Sequence, residues 1–418
     1  MKILVQKYGG TSVGDLNKIA QIAQYIANCI KNNPNRKIIA VVSAMNKTTN
    51  ELIAKARELT PNPDLRELDQ LLQIGEIETA ALLAMKLQEH GIIAESLTAA
   101  QIGLTTDQRF GNATILGVRR QNILSLLKSQ EVLVVTGFQG IALNQNKTMQ
   151  ITTVGRGGSD AVAVALAAEL KADCTIFTDV DGVYAVDPRV VPNALKFKVI
   201  TPVQMIKMYQ AGAGVMMGRS VEIGAKYNVP ILVQLSPSFG QSDGGTIIKN
   251  PSYKKIESSP YAESAGLGIK PIGMIIINNV PNQPGMALKI FQALEKINLE
   301  EIMQIPPPID IPASIGIIVK QQDMEKAIAE IKKIAHGGSI LLEGDVNCYN
   351  DLFSLTLVDP TMINSTGYLL KMTKALSDQK INIESIFSAQ DKLGVVVKEN
   401  CYKEAAQALA IEFGLTNK

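Results

Sequence analysis

ITTVGRGGSDAVAVALAAELKADCTIFTDVDGVYAVDPR, residues 151–189, places a glycine-rich turn, an apolar helix, a strand and an acidic turn in one short run. Gly155, Gly157 and Gly158 precede Ser159-Asp160, and residues 161–170 are helix formers, which is the order of loop, cap and helix. Glycines let backbone N–H groups approach a ligand closely. The helix N-terminus behind them adds uncapped donors and the positive end of a dipole. Phosphate suits such a cradle. Residues 174–178 (CTIFT) form a β-type run that ends in Asp179-Val180-Asp181-Gly182. In open α/β sheets the C-terminal ends of strands are where ligands bind.

The same order recurs on both sides of that stretch. Residues 2–8 read as a buried strand with Gly9-Gly10 behind it, then Thr11-Ser12 and a helix over 16–30. Lys7 therefore stands at a strand end beside a second glycine turn, where a compact ammonium suits a phosphoryl oxygen. Taken alone it reads more readily as a surface lysine near a tight turn. A strand over 37–42 leads into the polar loop Ser43-Ala44-Met45-Asn46-Lys47-Thr48-Thr49, whose hydroxyls serve either a ligand or simple helix capping. A long amphipathic helix over 65–89 carries Gly75-Glu76 in mid-run. Glycine weakens a helix there by about 1 kcal/mol, which points to close approach of another group, although Glu76 also reads as an ordinary surface acid. After a strand over 92–97, the loop Thr105-Thr106-Asp107-Gln108-Arg109-Phe110-Gly111-Asn112 fits a carboxylate-binding loop and equally a salt-bridged turn. A helix over 119–128 and a strand over 131–136 end at Gly137-Phe138-Gln139-Gly140. Helices over 202–210 and 216–227 and strands over 231–235 and 246–248 close this half. Alternating strands and helices predict a mostly parallel sheet covered on both faces.

Bulk properties bound the function. A chain of 418 residues exceeds one ordinary core, so two or three domains are expected. A net charge of +2 and the absence of tryptophan argue against nucleic acid as a partner. Cys29, Cys174, Cys348 and Cys401 are scattered, and His90 and His336 are the only histidines, so neither a zinc cluster nor a histidine triad is expected. Unpaired thiols, no signal-peptide core and no apolar run of about 18 residues give the expectation of a cytoplasmic protein without a membrane partner.

Residues 251–265, rich in serine and proline, read as a linker. Beyond it lies a repeat: NQPGMALKIFQALEKINLEEI from Asn282 parallels NSTGYLLKMTKALSDQKINIESI from Asn364. Each copy is followed by a second amphipathic helix, at 324–335 and 402–413. Strand, helix, strands and helix are the plan of a ferredoxin-like module. Two such modules suit ligand sensing or dimerisation.

Taken together, Lys7-Tyr8-Gly9-Gly10-Thr11-Ser12, SAMNKTTNEL, Gly75-Glu76, TTDQRFGNA, GFQG, TTVGRGGSD and TDVDGVYAVDPR occur in one order at domain-scale spacing. That order resembles the aspartokinases of the amino-acid-kinase family over essentially the whole chain. The resemblance implies an α/β kinase domain over 1–250, with a mostly parallel sheet sandwiched by helices. The linker 251–265 would lead to two ferredoxin-like ACT modules over 266–336 and 337–418. It implies transfer of a phosphoryl group from ATP, with Mg2+ held mainly through the nucleotide phosphates, to the side-chain carboxylate of L-aspartate. Lys7 would neutralise the transferring group and Asp160 would brace it. Ser43, Thr49, Glu76, Arg156, Gly157 and Ser159 are the implied aspartate positions. Lys7, Gly9, Gly10, Thr178, Asp179, Asp181, Tyr184 and Arg189 are the implied nucleotide positions. Pro284, Gly285, Ala287, Gln304, Asn382 and Ile383 are implied for an effector, lysine or threonine, in a homo-oligomer of two or more copies.

Three departures from the family pattern stand out. Gly214 occupies the position of a family lysine that reaches the nucleotide phosphates, and Ile77 follows Gly-Glu where many relatives have arginine. The second module has drifted at Asp359-Pro360-Thr361-Met362, Thr366-Gly367 and Phe387-Ser388-Ala389-Gln390. Gly214 motivates an alternative, a catalytically weakened paralogue that binds an amino acid or nucleotide as a regulator.

Overall fold

The computed structural model describes residues 2–213, 216, 218–240, 244–250, 265–281, 283–295, 297–305, 313–336, 346–360, 362, 365–389 and 392–417. Gly214, the linker through 264, Asn282, Thr361, Asn364 and Gln390 lie outside them. The chain divides into two compact units. The first comprises Met1–Val183, Lys196–Tyr209 and Gly214–Ala262. The second comprises Tyr184–Leu195, Gln210–Ala213 and Glu263–Lys418.

In the first unit the strands are, in chain order, β1 (Lys2–Tyr8), β2 (Arg36–Val42), β3 (Ala94–Leu97), β4 (Leu104–Thr106), β5 (Ile115–Val118) and β6 (Val132–Thr136). They continue as β7 (Gln139–Leu143), β8 (Met149–Thr153), β9 (Asp173–Thr178), β10 (Val199–Ile200), β11 (Ile231–Leu235) and β12 (Thr246–Ile248). Among the described residues eight of them form one sheet in the order β10-β12-β11-β9-β1-β2-β6-β3, parallel except where β11 meets β12. The apolar runs explain this. IIAVV of β2 and VLVVT of β6 are buried throughout, as strands covered on both faces must be.

One face is covered by the helices Leu16–Lys31 and Ile74–Glu89, whose Ile19, Ile22, Ile26, Leu83 and Leu87 pack on Ile38, Ala40, Val42, Val132 and Val134. Each fully buried Ile or Leu contributes about 1.5–3 kcal/mol. The helix Gly158–Leu170 has buried residues on almost every side and packs on β1, β2 and β9. β1 pairs with β2 on one side and β9 on the other, so the chain reverses its direction of travel across the sheet at β1. Such a switch point leaves a crevice outside the C-terminal ends of the strands.

Two differences from the sequence reading bear on the site. The helix expected over 65–89 is two helices, Leu65–Leu72 and Ile74–Glu89, meeting at Gln73. Gly75 lies in the first turn after the break. A Cβ on it would fall 2.6 Å from the Cβ of Ala44, so close packing sets the kink where no proline marks it. Thr105 and Thr106, read as the start of a loop over 105–112, belong instead to β4 of a small sheet, β5-β4-β7-β8, that the periodicity does not announce.

The second unit contains β13 (Gly266–Val280), β14 (Leu299–Ile305), β15 (Ala313–Lys320), β16 (Val346–Val358), β17 (Ser385–Ala389) and β18 (Lys392–Lys398), in the order β14-β15-β13-β16-β18-β17. Both ferredoxin-like patterns are present, on one continuous antiparallel sheet. The C-terminal part of β13 pairs with β15 and with the start of β16. Its N-terminal part, Gly266 to Ile272, pairs with Val358 to Leu352 at the end of β16. A register shift between Ile272 and Met274 separates the two stretches. Each long strand thus serves both halves. Ile275, Ile277, Ile315, Ile317, Ile290, Leu294 and Ile331 form the core beneath the helices Met286–Ala293 and Met324–His336. Residues 184–195 are stitched to the same unit: Leu267 N–H donates to Ala185 O at 2.7 Å and Leu195 N–H to Leu415 O at 2.8 Å.

Candidate functional site

Parallel register brings the ends of four strands level, with Tyr8 beside Val42 and Phe177, and Val42 beside Thr136. Lys7 lies one residue before the end of β1. Its Nζ sits 2.6 Å from Oδ1 of Asp160, with 12% and 11% of the two side chains exposed. Asp160 occupies the first turn of the helix Gly158–Leu170, where the dipole favours a carboxylate. Gly9 leaves room for the ammonium: a Cβ there would lie 3.3 Å from Lys7 Nζ. At Gly10 a Cβ would meet Ala44 O at 2.8 Å, so the Gly9-Gly10 turn can rest only as glycine against the 43–46 loop. Gly10 O accepts from Asn46 N–H at 3.1 Å, and Ser43 N–H donates to Tyr8 O at 3.1 Å.

Glu76 enters from the kink. It is 3% exposed, and its Oε1 accepts the Ala44 N–H at 3.0 Å. Its Oε2 is buried with no hydrogen-bond partner among the described residues. Burial pushes this carboxyl up to about 7, with the Ala44 N–H pulling the other way. Among the described residues this buried acid, with one oxygen open, has no cationic partner. Thr49 lies in the first turn of the helix Thr48–Leu59. It is the neighbouring Thr48 hydroxyl that bonds Met45 O, at 2.7 Å, and the Thr49 hydroxyl has no partner among the described residues.

The glycine-rich turn arrives from β8. Gly155 and Gly157 have φ of 77° and 68°, in the left-handed region that only glycine enters freely. Between them Arg156 is exposed, and its guanidinium has no hydrogen bond or ion pair among the described residues. Ser159 is buried against Gly137, where a Cβ would fall 2.5 Å from the serine Oγ. Lys7 and Asp160 thus meet directly beside Gly9, whereas Gly10 and Glu76 both rest on Ala44, Ser43 is tied to Tyr8, and Ser159 packs on Gly137.

The acidic turn is less unified. Thr178 Oγ1 donates to Asp179 Oδ1 at 3.1 Å at the end of β9, and Asp181 pairs with Lys196 at 3.0 Å. Tyr184 and Arg189 fall in the second unit, where the Arg189 guanidinium is forked on Asp187 at 2.8 and 3.0 Å. In the same unit Gly285 caps the helix Met286–Ala293, which holds Ala287, with φ of 93°. Gln304 lies on edge strand β14 opposite Ile315. Asn382 and Ile383 line an open depression of about 390 Å³ with Thr373, Ser377 and Lys380, beside the other edge strand, β17. The drifted Phe387 has its ring over Gly394, where a Cβ would collide with it at 2.0 Å.

Two charged residues near the site escaped the sequence reading. Asp69, 1% exposed, accepts hydrogen bonds from Gly111 and Thr153, and Arg219 donates to Ala113 and Val154. Burial pushes the Asp69 carboxyl up, and its donors pull it back. Each carried a signal. Asp69 sits on the Leu65-Leu68-Leu72 apolar stripe, and Arg219 places a cation in a helix's first turn, where the dipole disfavours it.

Comparison with known proteins gives the site its context. The family model described as Amino acid kinase family matches residues 2–234. The aspartokinase of Pseudomonas aeruginosa is 37% identical over 418 residues, covering 99% of this chain and 98% of the relative. The chain belongs to the aspartokinases. It is an aspartate kinase, a phosphotransferase whose acceptor is the side-chain carboxylate of L-aspartate. Escherichia coli aspartokinase III, solved with aspartate and ADP, shares the fold at a TM-score of 0.75 and 20% identity, covering 99% of this chain and 100% of that one. The same enzyme solved with lysine and aspartate matches at 0.73 and 20%, with the same coverage. The α/β kinase sheet followed by ACT-type modules is therefore the aspartokinase architecture, and an inactive regulatory paralogue is not the favoured reading. Among the described residues no helix is long and apolar enough to cross a membrane.

Proposed function

We propose that the crevice outside β9, β1 and β2 holds aspartate and ATP, with the side chains of the first unit in the following roles. Glu76 takes the substrate ammonium on its open Oε2. Arg156 takes the α-carboxylate, with Thr49 and Ser43 as hydroxyl partners and Gly157 and Ser159 shaping the floor. The β-carboxylate, ionised at neutral pH, attacks the γ-phosphorus. A new O–P bond forms as the bond to the ADP oxygen breaks, and the product is an acyl phosphate. No general base is required. Lys7 neutralises charge on the transferring group and Asp160 fixes the lysine. Gly10 presents its N–H to the phosphates, while Gly9, whose own N–H donates to Phe177 O at 3.4 Å, keeps the turn open beside the Lys7 ammonium. Thr178, Asp179 and Asp181 border the nucleotide. The observation that carries this reading is the buried Lys7–Asp160 pair at a strand switch point, next to an acid with an open oxygen.

Mg2+ fits as the nucleotide's passenger. Among the described residues no three His, Cys, Asp or Glu side chains gather into a metal cage, so the ion would be carried mainly by phosphate oxygens. When bound it would lower the repulsion between the phosphates and the incoming carboxylate.

The kinase domain is assigned to 1–250 and the two ACT modules to 266–336 and 337–418, in a cytoplasmic enzyme regulated by lysine, threonine or both. The lysine-bound E. coli relative supports the first of these effectors. Gln304 and Asn382 lie near opposite edges of one six-stranded sheet, roughly 24 Å apart at about 4.8 Å per strand. An effector site using Pro284, Gly285, Ala287 and Gln304 with Asn382 and Ile383 therefore needs a second copy of the chain, edge to edge. The test is ADP formation from MgATP with L-aspartate or L-glutamate, with and without lysine and threonine. Turnover selective for aspartate supports the reading, and failure to turn over aspartate overturns it.

A further inference from the structure

Asp69 and Arg219, unassigned above, grip the same two segments through opposite chemical groups. The Asp69 carboxylate, on the helix Leu65–Leu72, accepts Gly111 N–H at 3.1 and 2.9 Å, Thr153 N–H at 2.8 Å and the Thr153 hydroxyl at 2.5 Å. The Arg219 guanidinium, on the helix Gly218–Lys226, donates to Ala113 O at 2.7 Å, Val154 O at 2.8 Å and Asn112 Oδ1 at 3.4 Å. Between these grips Ala113 N–H donates to Thr153 O at 2.8 Å. An acid takes the N–H groups and a base takes the carbonyls. Residues 111–113 and 153–154 are thereby fixed on two sides.

The chain then passes directly into Gly155, where a Cβ would meet Asn112 Oδ1 at 2.8 Å, and on to Arg156. Arg156 has no side-chain partner among the described residues, so its aim depends on the backbone that delivers it. A carboxylate 1% exposed is not placed idly. Its burial is tolerable only because every donor around it is satisfied, which makes the arrangement stiff.

We propose that Asp69 and Arg219 are positioning residues for L-aspartate: their two-sided clamp on residues 111–113 and 153–154 aims Arg156 at the substrate carboxylate. The proposal rests on the assignment of Arg156 made above. It separates from a merely structural role because a loosened clamp misplaces one substrate's contact and leaves the nucleotide's contacts on β1 and β9 in place.

The test compares Asp69→Asn, Arg219→Lys, Arg156→Gln and the double variant Arg156→Gln/Arg219→Lys by steady-state kinetics in both substrates, with thermal melts. A displacement of about 1 Å costs up to about 100-fold, so each clamp variant should raise KM for aspartate about 10- to 100-fold and KM for ATP less than about twofold. On the Arg156→Gln background the clamp substitution should add less than about twofold, because its target is gone. Unchanged KM for aspartate in a folded clamp variant, an equal rise for ATP, or full multiplication in the double variant would overturn the proposal. If Asp69→Asn does not fold, the partly buried Arg219 carries the same readouts. An unchanged KM in Arg156→Gln itself removes the Arg156 assignment. A raised KM there beside parental values in both clamp variants removes the clamp alone.

Discussion

Glu76→Gln is the substitution that most directly interrogates the aspartate site. Burial raises the Glu76 carboxyl from 4.5 to about 7. At 1.36 kcal/mol per unit, keeping this group ionised in the free enzyme costs about 3 kcal/mol. The folded value lies above the unfolded one, so the protonated group's contribution to stability is full below 4.5 and is lost as pH rises through 7. Binding the aspartate ammonium reverses the preference, because the cation favours the charged form. The ionised fraction rises about tenfold between pH 6 and pH 8, and kcat/KM for aspartate at saturating ATP should climb about tenfold with it. The substrate carboxylates are ionised throughout this range, so the limb belongs to the enzyme. In Glu76→Gln the limb should vanish and KM for aspartate should rise about 10- to 100-fold, from loss of a charge-assisted hydrogen bond of about 1.5–3 kcal/mol. The same variant should melt higher than the parent at pH 8, where the parent bears the ionisation cost. A flat parental profile between pH 6 and 8, or the same slope in the glutamine variant, would refute the reasoning.

Asp160→Asn removes the partner of a mostly buried lysine; kcat should fall about 100-fold by steady-state assay, and the melting temperature should drop, since a broken buried pair costs about 3–5 kcal/mol. Gly75→Ala inserts a Cβ 2.6 Å from that of Ala44 and should destabilise by about 1–3 kcal/mol in urea unfolding, with KM for aspartate raised because Glu76 moves with the kink. Native alkylation at pH 8 followed by mass spectrometry should modify exposed Cys348 and spare Cys174, which is fully enclosed and whose thiol burial pushes far up.

The kinase sheet was legible because its chemistry is local. Apolar runs such as IIAVV and VLVVT have no other stable place than a strand covered on both faces, and the glycine turns at Gly9 and Gly137 follow such strands, although the turn at Gly155 leaves the part-polar β8. Lys7 alone said little; the register that sets β1 beside β9 and beneath the helix Gly158–Leu170 joins it to Asp160. What stayed hidden depends on partners remote in sequence. The break at Gln73 bears no proline, because a contact between Gly75 and Ala44 sets it. The strands β4, β5, β7 and β8 are three to five residues long and part polar, too short for a period to show. Asp69 stands out only as an acid on an apolar stripe, and what it holds is invisible until Gly111 and Thr153 close on it.

The exchange of strand halves between β13 and β16 makes the two ACT patterns indivisible. Residues 266–272, at the start of the first repeat, complete the sheet of the second, some 80 positions later in the chain. Their pairing waits for nearly the whole C-terminal region to be synthesised, a late step with a large loop to close. A cut at 336 would leave one fragment with an unpaired strand and the other without its last one. Amide exchange along the two strands should therefore report one opening event, and a graft of either repeat into another enzyme would have to carry both.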